Sequence, residues 1–214
     1  MEHFKYSMIK RLILILVITL FFVTTIKADD INDFEIEGMS VSDSLLEYFN
    51  EDLIKEEMNS SSVFIYKDNK FIDIAVGSTN VYPLRKNLEV YDNVGITLKP
   101  DDKKYKIYAV DGTIYCEDLN ICLSQQKDIK SELISYFGGD ATYTDLNIPH
   151  AFDKTGNSNT YMTKFEFKSH KSIVRVIVVD WSDEITKDYK FEDNLKVEIL
   201  SSELIDFLRG NIYD

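Results

Sequence analysis

Apolar and polar residues alternate along the chain in two rhythms, and the changes between them mark its elements. Between residues 40 and 58, Val41, Leu45, Leu46 and Phe49 recur at helical spacing behind Ser40 or Ser42. Asn50, Glu51 and Asp52 can start a second helical turn through Leu53, Ile54 and Met58. After "NSSS" the period falls to two, and "VFIYKDNKFIDIAV" predicts two strands around Asp68-Asn69. "GSTNVYPLRKN" reads as a loop broken by Gly77 and Pro83.

Strand-like segments resume with "LEVYDNVGITLK" and "KYKIYAV", separated by "PDDK". "KIYAV" then faces "TIYCE" across Asp111-Gly112, a dipeptide suited to a tight hairpin turn. "CLSQQKDIKSELISYFGG" is an amphipathic helix with Ile129, Leu133, Ile134 and Phe137 on one face and a glycine stop. A loop from Gly139 to Asn159 leads to "TYMTKFEFK" and "IVRVIVVDW", which are joined at Ser169-His170-Lys171. "NLKVEIL" and "SSELIDFLRG" close the chain as strand and capped helix. No regular βαβ alternation is present, so the pattern predicts an α+β fold, a mainly antiparallel sheet with short amphipathic helices packed on one face. The loop before Leu88 divides residues 29–86, an N-terminal helix-plus-hairpin lobe, from residues 87–214, a C-terminal antiparallel α+β lobe; a single domain over 29–214 is the alternative.

The first residues change this picture by placing the protein outside the cytoplasm. His3, Lys5, Lys10 and Arg11 precede an uncharged run of fifteen residues, Leu12 to Ile26, followed by Lys27, Ala28, Asp29 and Asp30. That run falls short of the roughly 18–20 residues that cross a bilayer as a helix, so residues 1–28 read as a signal peptide. The expected location is the periplasm or the exterior, with an uncleaved N-terminal anchor as the alternative and no stable membrane span after cleavage. The whole chain carries a net charge of −13. Without residues 1–28 it holds 20 basic against 36 acidic residues, a net charge of −16. Such a surface repels phosphate backbones and anionic headgroups, which excludes nucleic acid as an expected partner. An envelope protein or a small molecule remains.

Candidate chemistry is sparse. Asp153-Lys154-Thr155-Gly156 spells the start of the P-type ATPase phosphorylation motif. It follows "NIPHAF" in place of a Val/Ile-rich strand, and Asn157, Ser158 and Asn159 replace the usual continuation, so it reads as a polar loop. "AVDGTIY" echoes the haloacid dehalogenase motif, with Ala109 where the nucleophile would stand. The residues that could form a functional loop are His150, Asp153, Lys154, Asp180 and Trp181. A histidine and two carboxylates can supply acid/base chemistry if they meet, which makes a hydrolase using His150, Asp153 and Asp180 one reading. The acidic segment 180–194 could bind Ca²⁺ or a small solute, although the spacing of a calcium loop is absent. No cofactor, catalytic set or metal set is assigned. Cys116 and Cys122 are the only cysteines, and they can form one disulfide or stay as buried thiols.

"DFEIEGMSVSDSLLEYF", "DKKYKIYAVDGTIYCEDLNICLSQQKDI", "DKTGNS" and "VVDWSDEIT…DNLKVEI", in this order, resemble a family of short, uncharacterised exported proteins of SAR11-type marine alphaproteobacteria. The resemblance spans most of the mature chain and implies no activity, cofactor or catalytic residue. Members carry a cysteine matching Cys122 and another just before the Asp-Trp pair, where this chain has Val178 and Val179. The resemblance therefore leaves Cys116 as the only partner for Cys122. The reading that best fits export, acidity and the missing catalytic set is a non-enzymatic binding or assembly module of the periplasm or cell envelope.

Overall fold

The computed structural model describes residue 31, residues 34–79 and residues 81–211. The signal-peptide assignment, residues 1–28, lies outside them. The chain is an α+β protein built on one eight-stranded, wholly antiparallel sheet. In chain order the elements are α1 (Glu51–Met58), β1 (Phe64–Ile65), β2 (Ile72–Gly77), β3 (Asn93–Leu98), β4 (Ala109–Tyr115), α2 (Leu119–Phe137), β5 (Ala141–Pro149), β6 (Asn159–Phe167), β7 (Ile173–Asp180), α3 (Asp183–Tyr189), β8 (Asn194–Leu200) and α4 (Ser202–Asn211). The order across the sheet is β1-β2-β3-β4-β8-β7-β6-β5. Two four-stranded meanders are thus welded along β4 and β8, where seven residue pairs run from Ala109↔Leu200 to Tyr115↔Asn194. The sheet is continuous across residues 86 and 87, because β2 pairs with β3 over six residues.

Successive strand residues point to opposite faces, and that alternation sorts the core. On one face, Ile72, Ile74 and Val76 join Val94 and Ile96, Val110, Val174, Val176 and Val178, and Leu195, Val197 and Ile199 in the main core. Ile54 of α1, Cys122, Leu133 and Phe137 of α2, and Ile36, Met39, Val41 and Leu45 of the N-terminal segment cover this face. Full burial of each such side chain is worth about 1.5–3 kcal/mol. Ala109, Ile173 and Leu200 point the other way, and Leu204 and Ile205 of α4 cover them together with Phe71 and Tyr108. The C-terminal helix therefore closes one end of the second face. Cys116 and Cys122 form a disulfide across the β4–α2 junction, with Cα atoms 6.0 Å apart.

Four local expectations are corrected. The helix expected from Ser40 or Ser42 is only a 3-10 turn, Leu45–Glu47. Ser42 sits at φ 76°, Asp43 accepts from the Ser40 amide at 2.9 Å, and Ser44 with Glu47 forms a capping box around the short turn. Asp111-Gly112 is not a turn but the middle of β4. There Asp111 pairs with Gly95 and Glu198 in register. Gly112 is required because a Cβ at that position would enter the ring of Tyr91, and the Asp111 carboxylate reaches Lys196 of β8 at 2.7 Å. Asn-Gly and Asp-Gly favour hairpins only when the chain is free to reverse, and here it is held on both sides. Residues 139–159, expected as loop, contain the nine-residue strand β5. Its exposed pattern hides the alternation of buried and open positions by which strands are recognised. The acidic segment 180–194 contains α3, whose first turn is capped by Ser182.

The contact between Gly112 and Tyr91 predicts a double-mutant result. Gly112→Ala should cost about 1–3 kcal/mol in urea denaturation, and much less when Tyr91→Ala has already removed the ring. An equal cost in both backgrounds would indicate a backbone effect of a turn instead.

Candidate functional site

At the end of the sheet where β5 and β7 both finish, residues 150–158 and 181–193 meet. Asp153 holds them together. Its residue exposure is 4%, and five donors surround its carboxylate. The Thr155 amide and hydroxyl donate to Oδ1 at 2.8 and 2.7 Å. The Ser158 amide and hydroxyl donate to Oδ2 at 2.9 and 2.7 Å, and the Ser182 hydroxyl does so at 3.2 Å. Ser158 Oγ in turn accepts from the Ser182 amide at 3.0 Å, and Ser182 caps α3. The carboxylate therefore fixes its own loop and ties it to the start of α3. These hydrogen bonds, from Thr155 first and Ser158 next, hold the Asp153 carboxyl well below the usual carboxylate range.

The fixed loop supports a set of rings. His150 lies against Trp181 with ring centres 4.2 Å apart, and Trp181 meets Phe191 at 4.9 Å. Phe152 approaches Tyr189 at 5.0 Å, Phe191 at 5.3 Å and Trp181 at 6.1 Å. Phe152 and Tyr189 remain 44% and 55% exposed. Beside the rings an open cavity of about 450 Å³ is lined by Tyr115, Trp181, Lys190, Phe191, Glu192 and Asn194. Lys190 takes the left-handed conformation that ends α3, and Asp193 receives the Trp181 amide at 2.8 Å. The site thus combines exposed apolar rings with a cation, a carboxylate and an amide.

The residues singled out in the sequence divide sharply in role. His150 and Trp181 come together, and Asp153 lies within their loop system. His150 Nδ1 accepts from the Phe152 amide at 3.2 Å, and burial lowers its pKa, which favours the neutral ring. Lys154 turns back to the Ala151 carbonyl at 2.9 Å. Asp180 ends β7 opposite Asn159; burial, then the nearby Asp193, raises its pKa. The donors around Asp153 come from Thr155, Ser158 and Ser182, so this carboxylate serves as the anchor of the loop. Among the described residues, no group of three or more His, Cys, Asp or Glu side chains could hold a metal ion. No helix among them is long and apolar enough to cross a membrane.

Sequence reasoning missed Phe152, Tyr189, Phe191, Tyr115 and Lys190. The available signal was the placement of Phe152, Tyr189 and Phe191 in "AFDK" and "DYKFEDN", segments otherwise too polar to need core residues. It also missed a polar network on the second sheet face. Arg175 Nε donates to Glu198 at 2.6 Å, Lys196 reaches Asp111 at 2.7 Å, and Asp73 accepts from Thr97 and Tyr66 at 2.5 and 2.8 Å. Burial pushes the Asp73 carboxyl up to about 6, opposed by the two hydroxyl donors. Its contribution to stability is accordingly full below the usual carboxylate range and is lost as pH rises through about 6.

Compared with known proteins, the chain matches no family model, no curated protein and no solved structure.

The sign is opposite at Asp153. A carboxyl whose folded-state pKa is depressed stabilises the protein above its unfolded pKa, and that stability is lost as pH falls. Asp153→Asn should therefore lower Tm by several degrees at pH 7. The gap to wild type should shrink as the pH is taken below about 4, where the unfolded carboxyl is protonated. Thermal melts across pH 2–8 check this.

Proposed function

We propose that the mature chain is an exported, non-enzymatic binding or assembly module of the periplasm or cell envelope, and that it docks a partner protein through its aromatic end. The observation that carries this reading is the ring cluster of His150, Phe152, Trp181, Tyr189 and Phe191, with Phe152 and Tyr189 left open. Large rings give extensive contact area for little conformational entropy, and they dominate the energetics of protein interfaces. The Asp153 hydrogen bonds support the same reading because a platform held before binding loses less entropy when its partner arrives. Export rests on the N-terminal sequence, and the resemblance to short exported proteins agrees with it.

The adjoining cavity favours a second reading, a small solute stacked on Trp181 and held by Lys190, Glu192 or Asn194. Trp181 is the chain's only tryptophan and would report such a ligand by its fluorescence.

A photo-crosslinking residue placed at Tyr189 in living cells tests the partner reading. The expected result is one discrete adduct that is absent when the probe stands at exposed Lys103 and that falls at least tenfold in a Phe152→Ala background. The same adducts from both positions, or none at Tyr189, would overturn it.

A further inference from the structure

The turn between β6 and β7 runs against the charge of the chain. Residues 164–175 hold Lys164, Lys168, Lys171 and Arg175 against Glu166 alone, whereas the mature chain holds 20 basic against 36 acidic residues. Arg209 of α4 reaches the same turn, its Nη2 lying 3.4 Å from Glu166. Lys171 faces α4 in the opposite sense, 3.5 Å from Asp206. Between them lies a cavity of about 330 Å³, lined in part by Glu166, Lys168, His170, Lys171, Ser172 and Arg209. It stands at the far end of the sheet from the aromatic loops, since β6 leaves those loops at Asn159 and reaches this turn after Phe167.

Two independent features of the cavity point to a ligand. Ser172 is only 6% exposed, yet it lines the cavity, and its hydroxyl has no hydrogen-bond partner among the described residues. A buried hydroxyl is costly to leave unpaired, and an acceptor inside the cavity would supply the missing partner. The cations are also weakly committed. The Lys171 and Arg209 side chains are 70% and 58% exposed, and exposed ion pairs of this kind are worth about 0–1 kcal/mol, so both can turn to a better acceptor at small cost. Lys168 donates to the Gly139 carbonyl at 2.5 Å, a neutral acceptor that leaves the ammonium without a carboxylate partner among the described residues. His170 stacks on Phe167 with ring centres 4.6 Å apart, which holds its ring in the cavity wall.

We infer that this cavity binds a tetrahedral oxyanion, a phosphate or sulfate group carried on a small solute. The planar fork of Arg209 can take two oxygens, the Lys168 and Lys171 ammoniums neutralise charge, and the Ser172 hydroxyl donates to a further oxygen. These three cations outnumber the two carboxylates beside them, Glu166 and Asp206. Charge also sets the size of the ligand. At physiological ionic strength the field of the acidic remainder is screened beyond about 8 Å, so a compact anion meets chiefly the three cations. A polyanion or a membrane of anionic headgroups would also meet the acidic surface and be repelled. The volume lies at the lower end of the roughly 300–1,000 Å³ of small-molecule sites, which suits a phosphate bearing a small group. The inference stands independently of the aromatic site.

Titration of residues 29–214 with inorganic phosphate at pH 7 and fixed ionic strength, followed by amide chemical shifts, tests it. The expected result is saturable movement of the Ser169, Lys171 and Ser172 amides with none at Lys103, reversed by sulfate and not by chloride. Lys171→Gln with Arg209→Gln should weaken binding by about tenfold or more, and Ser172→Ala by about fivefold. Glu166→Gln should tighten it by about two- to fivefold, because it releases Arg209 and removes a competing charge. Retained circular dichroism shows that each variant folds, and the two exposed cations test the site even if Ser172→Ala does not fold. Shifts that do not saturate, equal shifts at Lys103, or an affinity unchanged in the double variant would overturn the inference. Vesicles of phosphatidylglycerol in phosphatidylcholine form the parallel arm, and no cosedimentation is expected. Cosedimentation that the double variant abolishes, without saturable phosphate binding, would overturn the small-solute reading in favour of a lipid headgroup.

Discussion

The pairing of β4 with β8 is the constraint on which the rest of the molecule depends. Neither meander is closed by itself, since β1 to β4 would present β4 as an open edge and β5 to β8 would present β8. Joining these two strands over seven residue pairs turns two open sheets into one and lets α2 and the N-terminal segment bury a single core. Specific side chains reinforce the join. Lys196 of β8 reaches Asp111 of β4 across it, and beside it Arg175 of β7 reaches Glu198 of β8. These pairs lie on the half-covered face, where burial is incomplete and ion pairs carry less desolvation cost than in a dry core.

The site depends on that seam through geometry. β7 and β8 lie beside it, and the segment connecting them supplies Trp181, Tyr189 and Phe191. The β5–β6 connection supplies His150 and Phe152 from the next hairpin. Two neighbouring connections at one end of a rigid sheet can meet without either being rigid alone. Asp153 removes the remaining freedom, because its carboxylate collects donors from both sides of the junction. The same chemistry explains why Asp-Lys-Thr-Gly appears here with no phosphoryl-transfer function assigned to it. Asp, Thr, Gly and Ser are the residues that build a tight polar loop, and a short motif made of them arises from loop construction alone.

Much of the fold was legible. Period-two alternation located β1, β2, β3, β6, β7 and β8, and helical spacing with end signals located α1, α2 and α4. What escaped was set by neighbours distant in sequence. β5 is an exposed edge, so neither of its faces is marked by burial and its composition resembles a loop. Gly112 is dictated by the ring of Tyr91, twenty-one residues earlier, and not by a turn. α3 is short and begins with Asp183 and Glu184, so its helical character rests on its cap and little else. In the site, His150, Asp153 and Trp181 were visible as unusual residues, but their roles were not. Asp153 proved to be an anchor, and the exposed partners Phe152, Tyr189 and Phe191 became significant only once their segments were brought together.

One carboxylate, that of Asp153, pins the loops at the aromatic end of the sheet. Residue-resolved amide exchange on wild type and Asp153→Ala tests it most directly, with the β4 and β8 amides as the internal reference. The Thr155, Ser158 and Ser182 amides should be protected in wild type and lose most of that protection in the variant, while the seam stays slow. Fast exchange at those three amides in wild type, or unchanged protection in Asp153→Ala, would contradict it.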